Sequence, residues 1–102
     1  MAQYILAIDQ GTTGSTVALM DMRGRLRASA NFEFEQIYPK PGWVEHRLGD
    51  IQASVDKAIA AVMRKKICKP TDIAAIGITN QRETAAVWDR DSGEALNNAV
   101  VW

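Results

Sequence analysis

The first third of the chain alternates between apolar runs and turn residues in a way that predicts three consecutive strands. Residues 4–8 form a continuous apolar run, which is typical of a strand buried on both faces. Residues 16–22 favour a second strand, and Arg23-Gly24 favours a tight hairpin turn because glycine adopts positive φ readily. Residues 25–35 alternate strictly between apolar and polar, which predicts a third strand with one buried face and one wet face.

A helix is predicted after a Pro/Gly loop at residues 39–42. Apolar side chains at positions 51, 55, 59, 62 and 63 have helical spacing and leave one apolar stripe, so residues 50–67 are predicted to be helical. Asp50 suits the helix N-terminus, where an anion is favoured, and three cations follow residue 63, where the C-terminus favours them. Pro70 is expected to end the helix.

The remaining residues predict further strands. Residues 73–79 read as a second buried strand, within which Gly77 suggests close approach of another backbone. Residues 84–89 alternate, residues 90–93 have turn composition, and the last strand is predicted at residues 98–102. This order of elements predicts an α/β or α+β domain with a mixed sheet.

Composition and charge exclude several classes of function. The 102 residues carry 12 Lys+Arg and 12 Asp+Glu, so bulk charge does not favour nucleic acid or a membrane surface. Cys68 is the one cysteine, which excludes an internal disulfide and a cysteine-based metal site. The sequence has neither a signal-peptide pattern nor the roughly 18 consecutive apolar residues of a membrane helix. We therefore expect a cytoplasmic protein with no membrane insertion.

The segment after the first strand combines an acid, glycines and hydroxyl groups. Asp9 ends the strand, and Gly11, Thr12, Thr13 and Gly14 follow it. Glycines let the backbone approach an anion closely, threonine hydroxyls add neutral donors, and a carboxylate can hold Mg²⁺ beside phosphates. The P-loop and dinucleotide fingerprints are both absent. These residues favour a Mg-nucleotide phosphate site, with a plain hairpin turn as the alternative.

Five polar residues, Asn-Gln-Arg-Glu-Thr, occupy positions 80–84 directly after the second buried strand. The carboxyl end of a strand is a common position for ligand binding. Arg82 offers donors in a rigid fork and Glu83 is an acceptor, so the two could bracket neighbouring hydroxyl groups of a polyol. The alternative is a surface ion pair or a solvated loop.

Both motifs resemble the FGGY family of carbohydrate kinases. Residues 8–13 (Ile-Asp-Gln-Gly-Thr-Thr) resemble the first phosphate loop of sugar and polyol kinases that share the ribonuclease H-like, actin/hexokinase ATPase fold. Three segments resemble the glycerol kinase branch of this family: residues 36–46, 77–84 and 98–102. The Asn-Gln-Arg-Glu-Thr run is specific to that branch, because pentulose and gluconate kinases carry different residues after the second buried strand. The resemblance implies that residues 1–102 are the first part of the family's N-terminal domain, with the remainder and a C-terminal domain beyond this chain.

The resemblance also implies roles at the nucleotide site. Asp9 would lie near the metal, and Gly11, Thr12, Thr13 and Gly14 would be the residues that bind ATP. The family usually has Ser at position 14 and Arg at position 16. Gly14 therefore lacks a hydroxyl and Thr16 lacks a cation, so we expect weaker nucleotide affinity than in relatives that have both.

At the acceptor site, the resemblance implies that Arg82 and Glu83 hydrogen-bond to glycerol and that Trp102 forms an apolar wall against its carbon backbone. The implied reaction is ATP-dependent, Mg²⁺-assisted phosphorylation of glycerol to glycerol 3-phosphate, with ADP released by a homo-oligomeric enzyme. The family's general base is an Asp beyond residue 102, so this chain would hold no catalytic residue. His46 is expected to be structural or on the surface. The alternatives are a kinase for another polyol or sugar and a non-catalytic binding module.

Overall fold

The computed structural model describes residues 3–101. Within this range the chain forms six strands and one α-helix, and a short 3-10 turn, Pro70–Asp72, precedes the fifth strand. In chain order they are β1 Tyr4–Gln10, β2 Gly14–Asp21, β3 Leu26–Glu33, β4 Val44–His46, α1 Leu48–Met63, β5 Ile73–Thr79 and β6 Ala99–Val101. None of the described helical residues form a segment long and apolar enough to cross a membrane.

The main sheet has four strands in the order β3-β2-β1-β5. The two hairpins β1-β2 and β2-β3 are antiparallel, whereas β1 and β5 run parallel, with α1 in the connection between them. This confirms the predicted mixed sheet and α/β class. Because Asp9 pairs with Thr79 in the parallel register, the loops that follow β1 and β5 leave the sheet at the same edge.

Helix α1 packs on one face of this sheet and forms the core with it. Ser54, Ala58 and Val62 of the helix are buried and lie four residues apart, which places them in one stripe. The buried apolar cluster comprises Tyr4, Leu6, Ile8, Val17, Leu19, Ala28, Ala58 and Val62. Burying a side chain of valine or leucine size contributes about 1.5–3 kcal/mol, so this layer fixes the strands that carry the two loops.

Helix α1 begins at Leu48 and ends at Met63, which is earlier at both ends than the predicted range 50–67. Lys66 adopts a φ of 55°, in the left-handed region that a right-handed helix cannot continue through. Its N–H donates to the Met63 carbonyl at 3.1 Å and so closes the last turn. Pro70 therefore does not end the helix; it begins the following 3-10 turn.

The prediction that β1 and β5 are buried on both faces is wrong for the described residues. Alternate residues of β1 are only half-buried, and β5 is largely open, with Ile76 and Ile78 exposed by 56% and 73%. Helix α1 covers one face, and no other described element covers the opposite face or β5. A Cβ at Gly77 would meet nothing within 4 Å, so the expected close backbone approach is absent there.

Two short strands form a second, antiparallel sheet. Strand β4 follows the Pro/Gly loop, where the sequence predicts no strand, and it pairs with β6, with His46 opposite Ala99. Residues 84–89 are not a continuous strand, although Ala85 bridges to Val100 and Trp88 bridges to Ala95. Residues 90–93 turn as predicted, with Gly93 at a φ of 76°. Alternation alone does not reveal these pairings because each involves only a few residues.

Replacing Gly14 by Ala should destabilise the fold. A Cβ at Gly14 would lie 2.7 Å from the Phe32 carbonyl oxygen and 3.0 Å from Glu33 Cα, so β2 and β3 would have to separate. Overpacking of this kind costs about 1–3 kcal/mol, and we expect the free energy of unfolding, measured with urea, to fall by that amount. Gly49→Ala is the matched control, because a Cβ there meets nothing within 4 Å. Equal effects of the two substitutions would contradict the close approach at Gly14.

Candidate functional site

The two predicted motifs meet at the carboxyl ends of β1 and β5. Gln81 Nε2 donates to Gln10 Oε1 at 3.0 Å and lies 3.4 Å from the Gly11 carbonyl oxygen. The loop after β5 is thus hydrogen-bonded to the loop after β1, seventy residues earlier in the chain. The structure brings together the residue groups that the sequence assigned to phosphate and to polyol.

The loop after β1, residues 11–13, is held by its carbonyl groups. Gln10 Nε2 donates to the Gly11 carbonyl at 2.8 Å, and Gln36 Nε2 donates to the Thr12 carbonyl at 2.9 Å. The N–H of Phe34 donates to the Thr13 carbonyl at 3.3 Å. All three carbonyl oxygens, which would repel a phosphate, are therefore occupied by donors of the protein.

The N–H groups of the same loop differ in whether they already have a hydrogen-bond partner. The Gly11 N–H donates to the Gly14 carbonyl at 2.9 Å and closes the turn, so it is not free for a ligand. The N–H groups of Thr12 and Thr13 have no hydrogen-bond partner among residues 3–101, and both residues are exposed. A loop with its carbonyls occupied and consecutive N–H and hydroxyl donors free can bind an anion.

Asp9 is exposed at the end of β1, directly opposite Thr16 in the antiparallel register. Its carboxylate has no hydrogen bond or ion pair with the described residues, and these residues include no cluster of three metal-ligating side chains. A magnesium ion held by one carboxylate, water and substrate phosphates needs no such cluster. Asp9 therefore fits a metal that the nucleotide itself helps to bind.

Gly14 has a structural role that the sequence did not reveal. It is buried as the first residue of β2, and the close approach of β3 leaves no room for a Cβ. A serine at position 14 would add the missing hydroxyl only if β2 and β3 moved apart, because its Cβ would lie 2.7 Å from the Phe32 carbonyl oxygen. Thr16, at the position where the family usually has Arg, accepts a hydrogen bond from Asn31 at 2.7 Å.

In the loop after β5, Arg82 and Glu83 are exposed and form no ion pair with the described residues, so the surface-pair alternative is not what the structure has. Glu83 has a φ of 63°, a left-handed conformation that costs a non-glycine residue about 1–2 kcal/mol. Thr84 Oγ1 donates to Gln81 Oε1 at 2.7 Å and fixes the base of this turn. Trp102, the predicted apolar wall, lies outside the described residues.

His46 supports the loop after β1 from behind. Its side chain is fully buried and packs edge-on against Phe34 with 4.7 Å between ring centroids. Because Gln36 donates through Nε2, its Oε1 accepts the hydrogen of His46 Nε2 at 2.6 Å, and the same Gln36 holds the Thr12 carbonyl. His46 Nδ1 then carries no hydrogen and is buried without a partner among the described residues. This agrees with the structural role expected for His46.

Sequence reasoning missed Gln10, Gln36 and Gln81 as the residues that hold the loops. A signal existed for Gln10, since the strand period of two puts it on the face of Leu6 and Ile8, where an amide needs a partner. No comparable signal exists for Gln36 and Gln81, whose partners are distant in the sequence.

Comparison with known proteins adds to this geometry. The family model for the FGGY family of carbohydrate kinases, N-terminal domain, matches residues 4–102. The glycerol kinase of Caldanaerobacter subterraneus subsp. tengcongensis is 54% identical over 102 residues, which are 100% of this chain and 20% of that protein. The glycerol kinase of Geobacillus kaustophilus is 52% identical over 100% of this chain and 21% of its own length. The chain thus spans about one fifth of these relatives.

Solved structures agree with the fold. A crystal structure of Plasmodium falciparum glycerol kinase with ADP has a TM-score of 0.87 and 35% identity, covering 99% of this chain and 20% of that one. A gluconate kinase structure from Lactobacillus acidophilus has a TM-score of 0.87 and 29% identity, covering 100% of this chain and 20% of that one. The predicted actin/hexokinase ATPase fold is confirmed.

The unfolding free energy should fall in acid because of His46. Burial lowers the pKa of His46 from its ordinary 6.5, so below about pH 6.5 the unfolded chain binds a proton that the folded chain does not. The contribution of His46 to the unfolding free energy is therefore complete above that pH, and it decreases as the pH falls towards the pKa of His46 in the folded protein. In His46→Phe this dependence should disappear between about pH 5 and 7, as measured by urea unfolding across that range.

Other acidic transitions are common to both proteins and do not confound the comparison. Backbone hydrogen bonds from Arg25 and Ser92 lower the pKa of Asp21 and Asp89, so these carboxylates titrate at lower pH. An identical pH dependence in wild type and His46→Phe would contradict the burial of a neutral imidazole.

Proposed function

Because the chain belongs to the FGGY family of carbohydrate kinases, we propose that it is the N-terminal part of a glycerol kinase. The complete enzyme would transfer the γ-phosphoryl group of ATP to a terminal hydroxyl of glycerol, yielding glycerol 3-phosphate and ADP. We further propose that it acts in the cytoplasm as a homo-oligomer.

One observation carries the proposal: the phosphate loop and the polar loop after β5 are hydrogen-bonded to each other at one edge of the sheet. Phosphoryl transfer requires mainly that donor and acceptor be held in line and that charge be neutralised. The free donors of Thr12 and Thr13 would bind phosphate oxygens, while the neighbouring loop would bind the acceptor.

Arg82 and Glu83 are proposed to bind glycerol. A hydroxyl group both donates and accepts, so the guanidinium would donate to one hydroxyl and the carboxylate would accept from its neighbour. Both side chains are exposed and unpaired among the described residues, and the strained φ of Glu83 indicates that its direction is imposed by the loop. Trp102 is proposed as the apolar wall beside them.

Asp9 is proposed to hold Mg²⁺, through water, next to the nucleotide phosphates. The ion would supply positive charge to the transferred group when bound. The chain's own contribution is to position donors and acceptor, because the general base is expected in the segment beyond residue 102. These residues therefore bind and orient substrates without removing the hydroxyl proton.

A kinase for another polyol or sugar is the second candidate, since a gluconate kinase has the same fold over this region. Sequence favours glycerol: identity is 54% to a glycerol kinase but 29% to that gluconate kinase. The substrate of the complete enzyme separates the two.

The complete kinase should release ADP with glycerol and Mg-ATP, and faster than with gluconate, xylulose or no acceptor. The isolated chain of 102 residues should release no ADP above background, since it lacks the expected base. A coupled assay for ADP measures both. Preference for another acceptor would contradict the glycerol assignment, and activity of the isolated chain would contradict the division of roles.

Thr16→Arg in the complete kinase should lower the KM for ATP, by up to about tenfold. Position 16 pairs directly with Asp9, so a cation there would lie beside the proposed phosphate site, and charge-assisted contacts are worth about 1.5–3 kcal/mol before screening. Steady-state kinetics at fixed glycerol measure this change. Thr16→Gln is the uncharged control, and an unchanged KM for ATP in the arginine variant would refute the hypothesis.

A further inference from the structure

A continuous set of side-chain hydrogen bonds runs from the loop after β5, through the phosphate loop, into helix α1. We call it the amide–hydroxyl network; it consists of Thr84, Gln81, Gln10, Ser15 and Ser54. Its members come from four separate segments of the chain. Gln10, Ser15 and Ser54 are buried, although polar side chains are costly to bury without partners.

The buried half of the network has a defined direction. Ser54 Oγ donates its one hydrogen to the Ile51 carbonyl at 2.7 Å, so the contact of 2.7 Å between Ser54 and Ser15 is donated by Ser15. The Ser15 oxygen then accepts from Gln10 Nε2 at 3.5 Å, the longest contact of the set. The same Nε2 donates to the Gly11 carbonyl at 2.8 Å, so Gln10 presents its Oε1 towards the loop after β5.

The outer half continues in the same direction. Gln81 Nε2 donates to Gln10 Oε1 at 3.0 Å, and Gln81 Oε1 accepts from Thr84 Oγ1 at 2.7 Å. Reversing either amide would place oxygen against oxygen or leave a donor facing a donor. Each member thus fixes the orientation of the next one, from Thr84 to the backbone of α1.

We propose that Gln10 and Gln81 are positioning residues that set the spacing between the phosphate loop and the acceptor loop, so that binding at one loop depends on the other. Neither side chain needs to touch a ligand: Gln10 holds the Gly11 carbonyl, and Gln81 holds Gln10 directly beside Arg82. The inference rests on the proposed function, because it assigns nucleotide to one loop and glycerol to the other.

Gln81→Glu tests this in the complete kinase. The substitution keeps size but replaces the donor with a carboxylate oxygen that faces two acceptors, Gln10 Oε1 and the Gly11 carbonyl, and so drives the loops apart. Gln3→Glu is the matched control, because Gln3 is exposed just before β1, at the opposite end of that strand. Thr84→Val, which removes only the outermost donor, is the second variant should Gln81→Glu fail to fold.

Calorimetry with ADP, in the presence and absence of saturating glycerol, gives the readout. In wild type and Gln3→Glu we expect glycerol to change ADP affinity by about fivefold or more, a typical coupling between linked sites. In Gln81→Glu the coupling should fall below about twofold, and ADP alone should bind severalfold more weakly. In Thr84→Val both the coupling and the affinity for ADP should decrease by less. A merely structural role would lower thermal stability without changing the ratio of the two affinities.

The results distinguish a failure of the proposed function from a failure of the proposed positioning role. If the wild-type enzyme shows no glycerol-dependent release of ADP, the proposed function is refuted. The effect of Gln81→Glu on the affinity for ADP alone then still tests whether the network positions the phosphate loop. Wild type active on glycerol, but with no coupling or with coupling unchanged in the variants, overturns the inference.

Discussion

Parallel pairing between β1 and β5, in register from Ile5 with Ala75 to Asp9 with Thr79, brings together two loops that lie seventy residues apart. Parallel strands need a long crossover, and α1 supplies it while burying its stripe on the sheet. A shift of this register by one residue would turn the β5 side chains to the opposite face and move the second loop away from Gln10. The proposed site thus depends on this pairing before it depends on any single polar residue.

The ability of the site to attract an anion depends on which backbone groups of the loop after β1 already have hydrogen-bond partners. Gln10, Gln36 and the N–H of Phe34 donate to the three carbonyls of the proposed phosphate loop, residues 11–13, and the N–H groups of Thr12 and Thr13 remain unpaired among the described residues. A chain of zero formal net charge can therefore bind an anion locally. His46, buried and neutral, contributes through Gln36, which makes it part of the support and not of the chemistry.

The sequence was a good guide where a pattern is local. Alternation and turn residues predicted β1, β2, β3 and the β2-β3 turn closely, and residue type alone indicated the two polar motifs after β1 and β5. The errors concern properties that depend on neighbours. A continuous apolar run does not say how many faces are covered, so β5 was expected to be buried, and helical spacing did not show that Lys66 leaves the helix.

By itself the sequence determined the order of the elements that build the main sheet and its helix, the mixed character of that sheet, the family and the residue types available for phosphate and hydroxyl binding, because these follow from local periodicity and motif. Only the tertiary structure decided that Gly14 has no room for a side chain, that the Gly11 N–H is consumed in its own turn, and that Gln10 and Gln81 join the two loops. The physical reason is the same in each case. Steric space and hydrogen-bond satisfaction are set by atoms from distant segments, which no window along the chain contains.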